Sequence, residues 1–224
     1  GVVTFFDQRA PGKAFRFLQD DTAGIYVFPP EGFTGAKVGQ RVEVEGHTGR
    51  GDFAPVVWAE RVQVLGPGSF PTARPVSFEQ LSSGCEDSQF VEVHGVVRAV
   101  HLEEDRLFFI IDVATGDGRV TAYASELPVT RSEDLIDSTV RLRGVCYTQF
   151  NRQRQLFNGG LLVPRPQDLS VEKPGPTEPF ALPARPLHSL LQYSPEGTFG
   201  HRVRVLGTVT LRYSDRLYIQ DGQE

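Results

Sequence analysis

Phe90-Val-Glu-Val-His-Gly-Val-Val-Arg-Ala-Val100 decides the fold. Apolar and polar residues alternate along it, the mark of a strand with one face buried. Gly95 interrupts the run where a strand interior normally avoids glycine, so a sharp bend or bulge is expected there. Such a bend lets one long strand serve two sides of a small barrel. After a turn at His101-Leu-Glu-Glu-Asp105, a second strand is expected from Leu107 to Val113. Ala114-Thr-Gly-Asp-Gly118 reads as a hairpin turn, and Arg119 to Tyr123 as a third strand. Ser132-Glu-Asp-Leu-Ile-Asp137 suggests one helical turn, followed by strands at Ser138–Cys146 and Gln155–Val163. Five short strands, a glycine-bent first strand and a small helix between the third and fourth describe an OB-fold-like barrel.

The same pattern recurs on either side. Gly1-Val-Val-Thr4 leads to Phe15-Arg-Phe-Leu-Gln-Asp20 and Gly24-Ile-Tyr-Val27; Val203-Arg-Val-Leu-Gly-Thr-Val-Thr210 leads to Arg216-Leu-Tyr-Ile-Gln-Asp221. The anchor glycines Gly1, Gly95 and Gly207 lie 94 and 112 residues apart, so each repeat is the size of a domain. Unit one continues with strands at Arg41–Gly46 and Pro55–Val64, which makes Trp58 a barrel-core residue by expectation. The connectors repeat too. Pro71-Thr-Ala-Arg-Pro75 and Leu182-Pro-Ala-Arg-Pro186 each open a Pro-rich stretch that continues into a short helix and a Gly stop, and Ser77 with Gln80 has capping-box spacing. The expected organisation is all-β: unit one over 1–68, a spacer over 69–88, unit two over 89–173, a spacer over 174–199, and the start of unit three over 200–224. The chain contains no Met, and on the repeat pattern it is expected to be a piece of something longer, cut inside the first strand of unit one and after the second strand of unit three. Residues 201–224 are then expected to pack on unit two or to add to a neighbouring chain, which would make a homodimer.

With 23 Lys and Arg against 28 Asp and Glu, the net charge is −5. Proteins that bind nucleic acid draw much of their affinity from neutralised phosphates, so this balance argues against DNA or RNA. No run of 18 apolar residues is present to span a membrane. The five histidines form no metal-binding spacing, and neither a nucleophile elbow nor a phosphate loop occurs. His101 beside Glu103 and Glu104 reads as a solvated turn, and Arg50-Gly-Asp52 as turn chemistry in a strand 4–5 loop. No catalytic residue, metal or cofactor is expected.

The candidate ligand site lies at the strand 4–5 loop of unit two, Tyr147-Thr-Gln-Phe-Asn-Arg-Gln-Arg-Gln155. OB folds bind on the face of strands two and three, between the 1–2 and 4–5 loops. Phe150, Asn151, Arg152 and Arg154 would line that rim, with Tyr123 on the third strand. An aromatic ring and guanidinium groups suit stacking on a base or sugar, or contact with an anion. The plainer alternative is a charged hairpin tip that maintains solubility. Cys85 precedes the first strand of unit two and Cys146 ends its fourth, and in an OB barrel these points are neighbours. A disulfide between them and two separate thiols are both compatible with the sequence.

Gly1-Val-Val-Thr4, Phe17-Leu-Gln-Asp-Asp21, Val38-Gly-Gln-Arg-Val-Glu-Val-Glu-Gly46, Gly51-Asp-Phe-Ala-Pro55, Ala73-Arg-Pro-Val-Ser77, Ser88-Gln-Phe-Val-Glu-Val93 and Arg143-Gly-Val-Cys146 with Phe150-Asn151 together resemble the repeated extracytoplasmic region of bacterial membrane-bound sensor histidine kinases. The resemblance runs along essentially the whole chain. It implies OB-like repeats outside the membrane, joined elsewhere in the protein to a transmembrane helix and a kinase core. It implies a periplasmic sensing or interaction role for a small-molecule or protein ligand, without catalysis by this segment, and it supplies no ligand residues. An OB-fold protein for single-stranded nucleic acid or oligosaccharide is the alternative reading.

Overall fold

The structure is a computed structural model. It describes residues 1–7, 14–33, 35–51, 54–103, 108–116, 118–151, 153, 156–191 and 200–222. Its first five strands are β1 (Val2–Asp7), β2 (Ala14–Gln19), β3 (Gly24–Phe28), β4 (Gln40–Arg50) and β5 (Pro55–Pro67). They close into a barrel in the order β1-β2-β3-β5-β4, with β1 returning to β4. Only the β3–β5 pairing is parallel. Val3, Leu18, Val27, Ala36 and Val42 fill the interior.

Barrel two repeats this topology. A two-residue strand, β6 (Arg74–Pro75), and a short helix, α1 (Phe78–Ser82), precede it. The expected capping box forms: Gln80 N–H donates to Ser77 Oγ, and Ser77 N–H to Gln80 Oε1. Strands β7 (Phe90–Glu103), β8 (Phe108–Ala114), β9 (Arg119–Ala124), β10 (Thr139–Phe150) and β11 (Leu156–Val163) follow. They run β7-β8-β9-β11-β10, and β10 pairs with β7 to close the ring. The expected helical turn is a 3-10 turn at Ser132–Leu135. Two features were not foreseen. A further strand, β12 (Leu169–Lys173), adds to β10, and the first spacer adds β6 in parallel to β7. His101 also differs from expectation: β7 runs on through Glu103, which makes His101 an exposed strand residue where a turn was expected. Of the tripeptide Arg50-Gly-Asp52, Arg50 ends β4 and Asp52 lies outside the described residues.

The anchor glycines have a common physical cause. In each unit the first strand crosses so close to the second that a Cβ would press on it. At Gly1 it would meet Gln19, at Gly95 Ala114 and Val113, and at Gly207 Gln220 and Ile219. A bulge follows three residues later each time, between Val3 and Phe5, Val97 and Ala99, and Val209 and Leu211. The registers Val3↔Leu18, Val97↔Val113 and Val209↔Ile219 then align the three units around the crossing, as far as Phe5, Ala99 and Leu211. By this alignment Asp20 and Asp221 are equivalent, and Asp112 matches Phe17. Asp20 accepts bonds from the Thr22 hydroxyl at 2.6 Å and from the Thr22 and Ala23 amides at 2.8 and 3.1 Å, which hold its pKa down to about 2.

Unit three comprises β13 (Thr208–Tyr213) and β14 (Arg216–Gln220), a two-stranded hairpin exposed at every position. The second spacer meets it as β6 meets β7: Ala184 bridges Arg204 in parallel, and Leu187 N–H donates to Asp221 at 2.6 Å. The helix expected in that spacer is a 3-10 turn at Leu187–Leu191, with residues 192–199 outside the described set. Contact with barrel two runs through the residues leading into the hairpin. Asp137 Oδ1 lies 2.8 Å from His201 Nδ1 and accepts the Arg202 N–H at 3.0 Å, and Arg98 donates to the Gly200 carbonyl. No helix among the described residues is long and apolar enough to cross a membrane.

Candidate functional site

The outer face of β2 and β3 in barrel one carries a ladder of aromatic rings. Phe5 meets Phe17 edge-on at 6.2 Å, Phe17 meets Tyr26 at 5.0 Å, and Tyr26 meets Phe28 at 5.0 Å. Phe28 then stacks flat on Trp58 of β5, with centroids 4.0 Å apart and planes 8° from parallel. The Arg16 guanidinium stands 5.6 Å from the Phe28 ring. Edge-on and offset-parallel arrangements are the two that aromatic quadrupoles favour.

The two ends of the ladder have different fates. Phe5 and Phe17 are buried with Phe90, Phe108, Val145 and Leu162 of barrel two in one shared cluster. Gln19 Oε1 accepts the Phe90 N–H at 2.8 Å across the same junction. At the other end Trp58 is 44% exposed, which overturns its expected place in the core. Val57 and Ala59 face the interior, so strand alternation turns Trp58 outward. Gly49 makes room for the indole, since a Cβ there would collide with it. His47 pairs in register with Trp58, and its Nδ1 lies 3.3 Å from Glu60 Oε1. The open end therefore joins two stacked rings to a cation and a histidine–carboxylate pair. The sequence signal that could have found it is the alternation Val57-Trp58-Ala59-Glu60, with its only Trp on the outward parity.

The site expected on unit two is arranged differently. Phe150 ends β10 opposite Leu156, and Asn151 Oδ1 accepts the Gln153 N–H at 2.9 Å, a local turn bond. Arg152 and Arg154 lie outside the described residues. Tyr123 is not brought to this hairpin tip. It pairs with Leu162, six residues from Leu156 along β11, or about 20 Å at strand rise. There its ring meets Tyr147 edge-on at 5.7 Å and packs against the shared cluster.

The two cysteines are free, Cys85 exposed and Cys146 buried, so no bridge joins them. Burial, reinforced by nearby Asp87 and Glu86, pushes the Cys146 thiol up to about 12. Burial also raises the Asp87 carboxyl, against hydrogen bonds from Thr148 and Ser88 that favour its charge. Glu86 is buried and paired with Arg74. His94 sits between Glu92 and Glu172, at 3.2 and 3.0 Å. Burial works to raise the pKa of Glu92, but bonds from Arg143 and His94 outweigh it and leave the group below its ordinary value. Among the described residues no three His, Cys, Asp or Glu side chains gather as metal ligands do.

No protein-family model matches the chain, and no curated protein matches it. A solved structure of a murine DNA-binding protein bound to double-stranded DNA is similar over 72% of this chain and 88% of its own, at 11% identity and a TM-score of 0.35. A likeness at that level bears on neither fold nor ligand.

Proposed function

We propose that this segment is a non-catalytic ligand-sensing or interaction module, the extracytoplasmic part of a sensor histidine kinase, and that it takes its ligand on the open aromatic end of barrel one. The single observation behind the site is the Phe28–Trp58 stack, flanked by Arg16 and exposed on the strand face that OB folds use for binding. The sensor setting is supported by the resemblance of the repeats. Stacked rings beside a guanidinium suit a ligand with a flat or sugar-like face and a polar or anionic edge. A second reading, single-stranded nucleic acid or oligosaccharide, is favoured by the same rings. The net charge of −5 and the carboxylate of Glu60 beside Trp58 weigh against a polyphosphate.

Trp58 is the only tryptophan, so its fluorescence reports the site alone. Titration with short oligosaccharides, single-stranded oligonucleotides and aromatic amphiphiles should quench or shift it for one class. Phe28→Ala and Arg16→Ala should each weaken that response. A response that is lost with added salt and confined to oligonucleotides would select the nucleic-acid reading. A panel that leaves Trp58 unchanged removes the site. A full-length gene encoding neither a transmembrane segment nor a kinase core would remove the sensor setting.

A further inference from the structure

The three-way alignment set by strand register gives Leu211, Tyr218 and Gln220 counterparts in barrels one and two. Leu211 takes the place of Phe5, Tyr218 that of Phe17, and Gln220 that of Gln19. In barrel one those three hold barrel two: the rings pack in the shared cluster, and the amide oxygen receives the Phe90 N–H. The counterparts in barrel two are Ala99, Asp112 and Ala114, which offer neither ring nor amide.

The junction that barrel two makes with unit three is accordingly built otherwise. Ser88 and Gly200 are equivalent, and both have positive φ, 65° and 81°. Phe90 and Arg202 are equivalent as well. Where the Phe90 N–H meets Gln19, the Arg202 N–H meets Asp137, and Arg98 holds the Gly200 carbonyl. A Cβ on Gly200 would come 3.0 Å from that of Ala114, at the place Gln19 occupies in barrel one. The chain thus contains two junction chemistries at one location, an aromatic–amide type after unit one and a charged type after unit two. Unit three carries the residues of the first type, and they are open: Leu211 is 54% exposed and Tyr218 50%.

We propose that the outer face of β13–β14, through Leu211, Tyr218 and Gln220, docks an OB-like barrel of the barrel-two type, one that presents an apolar patch around a strand-one N–H to an outside acceptor, as Phe90 does to Gln19. Tyr218 packs into the patch, Leu211 covers its side, and the Gln220 oxygen accepts the N–H. This reading stands apart from the aromatic site on barrel one.

Two measurements on the whole chain test it. In the first, barrel one receives either the unit-three pair (Phe5→Leu with Phe17→Tyr) or the unit-two set (Phe5→Ala, Phe17→Asp and Gln19→Ala). The Phe90 amide should exchange as slowly in the pair variant as in the wild type, and about tenfold faster or more in the triple variant. Loss of protection in the pair variant would overturn the proposal, because the unit-three set would then be unable to hold this barrel. In the second, the triple variant, its barrel-two face released, is mixed with the wild-type chain in sedimentation velocity. A one-to-one complex should form and vanish when the wild-type partner carries Tyr218→Asp. Absence of the complex, persistence despite Tyr218→Asp, or a wild-type homodimer that forms in its place would each overturn it.

Discussion

Gln19 of barrel one and Phe90 of barrel two are joined by one bond, Oε1 to N–H at 2.8 Å, beside a cluster of aromatic and aliphatic side chains shared by the two barrels. Phe90 opens the first strand of barrel two, so this bond fixes where the second barrel begins relative to the first. Gln19→Ala leaves a part-buried N–H without its partner, at a cost of about 1–3 kcal/mol. A lowered unfolding midpoint and faster exchange at the Phe90 amide should both follow. Gly24→Ala should be worse, since its Cβ would run into the Ser88 carbonyl of the approaching barrel. An unchanged Phe90 amide in both variants would mean that the rings alone hold the junction.

The thiols should differ sharply in reactivity. Cys85 is exposed, whereas Cys146 is fully buried with its pKa pushed up to about 12. Thiolate is the reactive form, so Cys146 is protected by both access and protonation. A thiol-exchange assay on the native protein should count one group at neutral pH and two after unfolding, without reductant. Zero groups in the unfolded, unreduced chain would mean that Cys85 and Cys146 are bridged.

Barrel topology was readable in the sequence because its causes are local. Alternation in Phe90–Val100 and the glycine at 95 mark strand and crossing, and the Ser77–Gln80 spacing marks a cap that forms. What escaped was decided by neighbours distant in sequence. Trp58 reads as core by composition, yet strand parity and the missing side chain at Gly49 place it outside on Phe28. Tyr123 reads as a ligand-binding residue of the third strand, and β9 sets it beside Tyr147 against the inter-barrel cluster.

Thr4 offers a gain in stability. It is fully buried in the first strand of barrel one, and its hydroxyl has no hydrogen-bond partner. A buried hydroxyl left unsatisfied costs roughly 1–3 kcal/mol, and Val has nearly the same shape. Thr4→Val should therefore raise the unfolding free energy by about 1 kcal/mol, seen as a higher urea midpoint at constant m-value. A lower midpoint would show that the hydroxyl is satisfied in solution.

His94 ties the added strand β12 to the barrel, and the tie should depend on pH. Burial works to lower its pKa, but hydrogen bonds and charge from Glu172 and Glu92 outweigh that and raise it above the ordinary 6.5. Arg141, its cross-strand neighbour on β10, brings an opposing positive charge and is itself bonded to Ser170 of β12. A raised histidine pKa in the folded state means that protonation and folding favour each other. The contribution is fully present below the unfolded value and fades as pH rises through the folded one. Above that point Glu172 loses its cationic partner, while Glu92 keeps Arg143. The end of β12 near Glu172 and Lys173 should then exchange its amides faster at alkaline than at acidic pH, after correction for intrinsic rates. In an NMR titration Glu172→Gln should lower the His94 midpoint. A midpoint at or below 6.5 in the wild type would show that burial and Arg141 prevail, and β12 should then show no change across that range.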